Sequence, residues 1–291
     1  MAAPFPSPTQ QWHSTAYSEI DPKRPELSAK GKNVLITGGG IGIGASVVRS
    51  FAEAGASTIS ILGRTENALI KTKENIETEF KSTKVIVLVA DITDELSVTK
   101  AFNSFKSSVG LIDVLVHNAA YMSDLVPIHD AEVGEWFKSF EINVKGAFLV
   151  TKAFLPLEAE NAVLVAMGTG AMSFLMPKSS SYLTSKLAES RFFEHVQAEN
   201  PHIRVHNVHP GGIQTRMADK TQAAGMTIPM DDISLSGDFA VWLASPEAAF
   251  TKGKFLWASW DVAELKSQSD KLLETSYLSM GVVLDGFPFG K

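Results

Sequence analysis

A chain of 291 residues is long enough to bury a sizeable core, and 45% hydrophobic with 20% charged residues is the composition of a globular protein, not a disordered or fibrous one. The absence of cysteine excludes disulfides, thiolate nucleophiles and Cys-ligated metals, and a formal net charge of −6 leaves no basic footprint for nucleic acid. The longest aliphatic run, Val85 to Ala90, falls far short of the roughly 20 residues that span a bilayer, so no membrane span is expected. The first residues, Met1 to Pro6, have neither the basic nor the apolar region of a secretory signal, which predicts a cytoplasmic protein with a small-molecule partner.

Residues 1–30 are polar and punctuated by proline, with scattered Phe5, Trp12 and Tyr17 and no periodicity, and read as an N-terminal arm. From Asn33 onward short β-branched runs alternate with longer helical patterns. Strands are expected near 33–37, 57–62, 84–90, 112–117, 161–167, 203–208 and 254–258, and helices near 42–55, 66–80, 94–108, 130–155, 180–198 and 236–244. This alternation predicts a single α/β domain over residues 31–260, a doubly wound sheet of seven mostly parallel strands with helices on both faces. A C-terminal extension, 261–291, follows Trp257 and Trp260 and carries Phe287 and Phe289; it is placed on the substrate or oligomer side of the same domain.

The first strand runs into Thr37-Gly38-Gly39-Gly40-Ile41-Gly42-Ile43-Gly44 and then into a helical stretch from Ala45. Glycines there let a pyrophosphate approach the backbone, and the free amides and dipole of the helix start favour its negative charge. At the end of the second strand, where an acid would bind a ribose 2′-hydroxyl, stand Gly63 and Arg64. A guanidinium suits a 2′-phosphate, so NADP(H) is preferred over NAD(H), with Glu66 nearby as the acidic alternative.

Together these residues resemble the classical short-chain dehydrogenase/reductase family, whose Thr-Gly-x-x-x-Gly-x-Gly is met by Thr37, Gly38, Gly42 and Gly44. Further matches follow in the family's order: Asp91-Ile92-Thr93 after the third strand, His117-Asn118-Ala119-Ala120 after the fourth, Asn143 in Asn-Val-Lys-Gly, Tyr182-x-x-x-Lys186, and Pro210-Gly211 with Ile213 and Thr215. The resemblance covers roughly residues 31 to 260 and implies a Rossmann-like fold. It also implies a dinucleotide held by Gly38, Gly40, Ile41, Gly42, Ile43 and Gly44, by Arg64, Asp91 and Ile92, by Asn118 and Ala119, by Tyr182 and Lys186, and by Pro210, Gly211, Ile213 and Thr215. The catalytic residues it implies are Asn143, Thr169, Tyr182 and Lys186, with Asn143 anchoring a water and Lys186 also holding the nicotinamide ribose. It further implies a homodimer or homotetramer through the fourth and fifth helices.

Tyr182 and Lys186 are four apart in a helical stretch and share a face, so the ammonium is expected to favour the phenolate and fit Tyr182 for proton exchange with a substrate oxygen. Thr169 stands where the family usually has serine; its hydroxyl can donate the same hydrogen bond, with a methyl group added to the pocket, and Ser173 is the alternative hydroxyl if the loop is shifted. Met172, Phe174, Leu175 and Met176, with Met217, Met226, Ile228 and Met230 in residues 216–235 where the family's mobile substrate loop sits, suggest an apolar ketone or secondary alcohol. His202, His206 and His209 read as structural or edge residues, and no metal is expected. Both termini are similar to those of fungal members of the family, many of which modify specialised metabolites. Thr169 and Ala120 leave open a non-redox enzyme on this scaffold, a dehydratase, isomerase or cyclase. A cofactor-sensing binding protein is expected to lack Tyr182, Lys186 or Asn143, and this chain has all three.

Overall fold

Successive side chains of a strand point to opposite faces, so a strand covered on both sides must be apolar throughout. In β1 (Asn33–Thr37), Val34 and Ile36 enter one core and Leu35 the other. The same division holds in β5 (Glu158–Met167), where Val163, Val165 and Met167 face one side and Ala162, Leu164 and Ala166 the other. The computed structural model describes residues 4–281, and Phe287 and Phe289 lie outside the described residues. The remaining strands are β2 (Thr58–Gly63), β3 (Lys84–Val89), β4 (Ile112–His117), β6 (Arg204–His209) and β7 (Phe255–Trp257). They form one seven-stranded sheet in the order β3-β2-β1-β4-β5-β6-β7, with every pairing parallel.

The helices are α1 (Gly42–Glu53), α2 (Glu66–Glu79), α3 (Glu95–Ser108), α4 (Val133–Ser139), α5 (Gly146–Phe154), α6 (Ser180–Glu199), α7 (Arg216–Ala223), α8 (Ile233–Ala244), α9 (Val262–Lys266) and α10 (Ser269–Glu274). Helices α1, α2 and α8 cover one face of the sheet and α3, α5 and α6 the other, as the apolar stripes Val47-Val48-Phe51 and Val98-Phe102-Phe105 require. Parallel strands of one sheet need such crossovers.

Three segments depart from the sequence expectation. The helix expected over 130–155 is divided: α4 and α5 are joined by a π-helical turn, Phe140–Lys145, that holds Asn143. Within the 216–235 segment, Thr215 accepts a hydrogen bond from Ala218 N and opens α7. The N-terminal arm lies on the body of the protein, burying Trp12, Ile20 and Leu27. These anchors are irregularly spaced, joined by two 3-10 turns, Ser18–Ile20 and Pro25–Leu27, and so leave no period in the sequence.

Where α1 meets α8, Asp238 is buried and accepts a hydrogen bond from Ser50 Oγ at 2.7 Å. Burial pushes its carboxyl up to about 6 despite that bond, with Glu53 and Asp21 adding to the shift. An acid whose pKa is raised by folding contributes its stability below the unfolded pKa and loses it as pH rises through the folded one. Asp238→Asn should therefore gain in thermal stability relative to the parent as pH rises from 3.8 to about 6 and hold that gain above. Thermal unfolding of both proteins across this range checks it; a difference that does not change with pH refutes the assignment.

Candidate active site

In a doubly wound sheet the crevice at the carboxyl ends of the strands, where neighbouring connections leave in opposite directions, is where ligands bind. Here that point falls between β1 and β4. The loop leaving β1 has positive φ at Gly38 (70°) and Gly42 (55°). A Cβ on Gly44 would lie 2.1 Å from Gly38 O, and one on Gly38 would lie 2.8 Å from Asn118 Nδ2. Helix α1 begins at Gly42 with Ile41 as its N-cap, a side chain that satisfies none of the first amides and is itself exposed. Gly40 packs against the backbone of α2, its carbonyl accepting from Thr72, and Ile43 leans on the core. A cradle from which side chains are excluded, with free amides at a helix start, fits the pyrophosphate of a dinucleotide.

Opposite this loop Thr37 Oγ1 accepts from the amides of both Asn118 and Ala119 at 3.0 Å, and Asn118 Nδ2 donates back to the carbonyls of Thr37 and Gly38. At the far side of the crevice Arg64, directly after β2, is 62% exposed, with Nη1 3.8 Å from Asp91 Oδ2. Partial burial opposes the ionisation of Asp91, but two hydrogen bonds from Thr93, with Arg64 and Lys145 nearby, outweigh it and hold the carboxyl below its usual range. The Ile92 side chain is buried against Gly146, so only the main chain of Ile92 remains for a ligand.

The π turn places Asn143 at the centre of a buried relay. Its Oδ1 accepts from Tyr121 N at 2.8 Å, and its Nδ2 donates to Tyr121 O and to Ser185 Oγ, each at 2.9 Å. Ser185 Oγ in turn donates to Tyr182 O at 2.7 Å. The loop after β4, the π turn and α6 are thus locked together around Tyr182. Thr169, two residues past β5, caps a short 3-10 turn by accepting from Ala171 N at 3.2 Å, which leaves its own proton free to donate. Ser173 ends that turn and is exposed. Gly211 has a positive φ of 100°, and Thr215 comes within 3.6 Å of where a Cβ on Gly42 would be, so the segment after β6 meets the glycine loop.

Lys186 behaves differently from the sequence expectation. It is buried, donating to Met167 O at 2.9 Å and lying 2.6 Å from Glu189 Oε2. Burial, and then the charge of Glu189, push the Tyr182 hydroxyl above its ordinary pKa instead of lowering it. Glu189 was not among the residues singled out in the sequence, although a glutamate seven positions after Tyr182 on one helical face was its signal. His206 is buried and His209 half-buried, and desolvation pushes them down to about 3 and about 4, whereas His202 pairs with Glu158 at the surface. Among the described residues no cluster of three or more His, Asp or Glu could hold a metal, and no helix is long and apolar enough to cross a membrane.

Such a crevice in such a sheet defines a dinucleotide-binding α/β enzyme. The short chain dehydrogenase family model matches residues 32–225, and the chain belongs to this family of oxidoreductases. It is 32% identical over 284 residues to a short chain dehydrogenase/reductase of Aspergillus aculeatus, covering 96% of this chain and 98% of that one. To a short chain dehydrogenase of Monascus ruber it is 33% identical over 282 residues, 94% and 92% of the two chains. Its fold is shared with a short chain dehydrogenase from Pseudomonas syringae (TM-score 0.75, 24% identity, 84% of this chain and 98% of that one). It is shared also with one from Shigella flexneri complexed with NADP (TM-score 0.73, 23% identity, 81% and 99%).

Gly44→Ala would set a methyl group against the Gly38 carbonyl, and overpacking of this kind costs about 1–3 kcal/mol. The variant should unfold at lower temperature and bind NADPH at least about tenfold more weakly. Calorimetry and fluorescence titration check this, and unchanged binding would remove the loop from the site.

Proposed function

We propose that the protein is an NADP(H)-preferring reductase of an apolar ketone, or dehydrogenase of the corresponding secondary alcohol, with Tyr182 as its acid/base. The observation that carries this reading is that the glycine loop after β1, the 118–121 loop after β4 and Thr169 after β5 all leave the carboxyl ends of adjacent strands, and that the Asn143–Ser185 relay ties Tyr182 to the middle one. A bound nicotinamide supplies or accepts the hydride. Thr169 donates a hydrogen bond to the carbonyl oxygen, and Tyr182 gives that oxygen its proton, the phenol O–H breaking as the alcohol O–H forms. Both side-chain groups of Asn143 are already bonded to protein, so a water that returns the proton to Tyr182 would be held by a main-chain carbonyl freed in the π turn. Arg64, exposed and loosely paired, is free to grip a 2′-phosphate.

The preference for an apolar substrate is supported by a cavity of about 320 Å³ lined by Phe5, Phe174, Phe255, Trp257, Trp260 and Met280. It adjoins Thr169 through Trp257, whose ring would stand 2.3 Å from a Cβ on Gly170. Leu175 points to solvent and has no part in it. Phe148 on α5 and Leu187 on α6 are about half exposed and support a homo-oligomer through these helices.

Tyr182→Phe should leave NADPH binding nearly unchanged and lower turnover of a ketone panel by roughly 10²-fold or more; equal turnover removes Tyr182 from the mechanism. Product formed without change in nicotinamide absorbance would instead favour a non-redox enzyme. Arg64→Asp should weaken NADPH far more than NADH in fluorescence titrations. Equal losses would refute the 2′-phosphate assignment.

A further inference from the structure

Helix α6 carries three ionisable side chains on one stripe, Tyr182, Lys186 and Glu189, at spacings of four and three residues. Lys186 is 1% exposed, Glu189 is 2% exposed, and β4 adds His117 at 1%. Glu189 Oε2 stands 2.6 Å from Lys186 Nζ, and its Oε1 stands 3.4 Å from His117 Nε2. Among the described residues neither ring nitrogen of His117 finds a hydrogen-bond partner, and its ring packs on Phe193 at 5.6 Å. Burying charge in such a place is costly unless the charges cancel, and a carboxylate in contact with an ammonium leaves little net field beyond the pair.

We propose that Glu189 is a positioning residue that neutralises Lys186 as seen from Tyr182 and thereby keeps Tyr182 a protonated phenol. It rests on the proposed function, in which Tyr182 is the acid/base. A protonated phenol is the form that reduces a carbonyl, because it has the proton to give. Alcohol oxidation needs the phenolate, so the site reduces ketones at neutral pH and oxidises alcohols only in alkaline solution.

Among the described residues no other charge acts on Tyr182 to offset this. On its own helix it faces Lys186 and Glu189, and the latter's charge joins burial in opposing the phenolate. His117 comes from β4. From β5 comes only the Met167 carbonyl, already held by Lys186. On β6, Asn207 is uncharged, and His209, edge-on to Trp257, is kept neutral by burial. The π turn offers the amide of Asn143, while Glu135 and Lys138 of α4 engage each other and Tyr121.

The test titrates the phenol directly by ultraviolet difference absorbance, upward from about pH 6 to the alkaline limit at which the protein stays folded. It compares the parent, Glu189→Gln and the double variant Lys186→Met/Glu189→Leu, and the signal of Tyr182 is isolated by subtracting the titration of the same three proteins carrying Tyr182→Phe. The pH profile of secondary-alcohol oxidation with NADP is measured alongside. Glu189→Gln should lower the Tyr182 midpoint by about one pH unit or more, the effect of a nearby uncompensated ammonium, and the alkaline limb of oxidation should move with it. The double variant should titrate between Glu189→Gln and the parent, since it loses the opposing carboxylate together with the ammonium that the carboxylate offsets. An unmoved midpoint in folded Glu189→Gln overturns the proposal, and so does a double variant titrating well above the parent, which would mean that Lys186 acts uncancelled. If Glu189→Gln does not fold, the double variant alone decides between these outcomes. A parent protein that neither binds NADPH nor turns over ketones would refute the proposed function, while the phenol titration still reads Glu189.

Discussion

Everything around the crevice at the carboxyl ends of the strands depends on the tie between β1 and β4. Two amides, of Asn118 and Ala119, converge on the single hydroxyl of Thr37, and the Asn118 side chain returns two hydrogen bonds to the carbonyls of Thr37 and Gly38. These strands lie side by side in the sheet, yet their following connections diverge, so no ladder continues past their ends. Side-chain bonding replaces the missing ladder and satisfies backbone groups that would otherwise line the crevice unpaired. It also presses Asn118 against Gly38 closely enough to forbid a side chain there. The same contact thus fixes the sheet and shapes the anion cradle.

A second layer of rigidity comes from the π turn. An extra residue in a helical turn costs regular hydrogen bonding, and such insertions recur at functional sites. Here it swings Asn143 inward, where its amide joins the loop after β4 to α6. Tyr182 is consequently positioned by its backbone through Ser185.

The strand pattern was legible because each buried strand is short, β-branched and bounded by glycine or polar turns, as in Val34-Leu35-Ile36 and Val85 to Val89. The glycine loop, Asn118, Asn143, Thr169 and Tyr182 were legible from their order along the chain. Sequence could not show how an ammonium is compensated, since the partner of Lys186 is set by which face of α6 is buried and by what β4 presents to it. Nor could it show that a seemingly regular 130–155 helix hides a π turn, because the apolar spacing on either side remains helical. The N-terminal arm escaped for a third reason: its contacts are with residues some 250 positions away, such as Gln10 N to Glu264 and His13 to Asp261, and periodicity carries no such information.

That last feature bears on how the chain is made. Trp12 bridges Trp260, Tyr17 bonds the carbonyl of Trp260, and Phe5 rests on Trp257. The arm therefore leaves the ribosome long before the residues on which it packs, and is among the last segments to find its place. Its aromatic rings must wait, exposed, until Trp257 and Trp260 have emerged. Closing so long a loop is slow compared with forming local βα units, so the arm settles on a body already folded. The wall of the aromatic cavity to which Phe5 belongs is then a product of the final docking event, and partial chains ending before Trp257 would carry the nucleotide crevice without it.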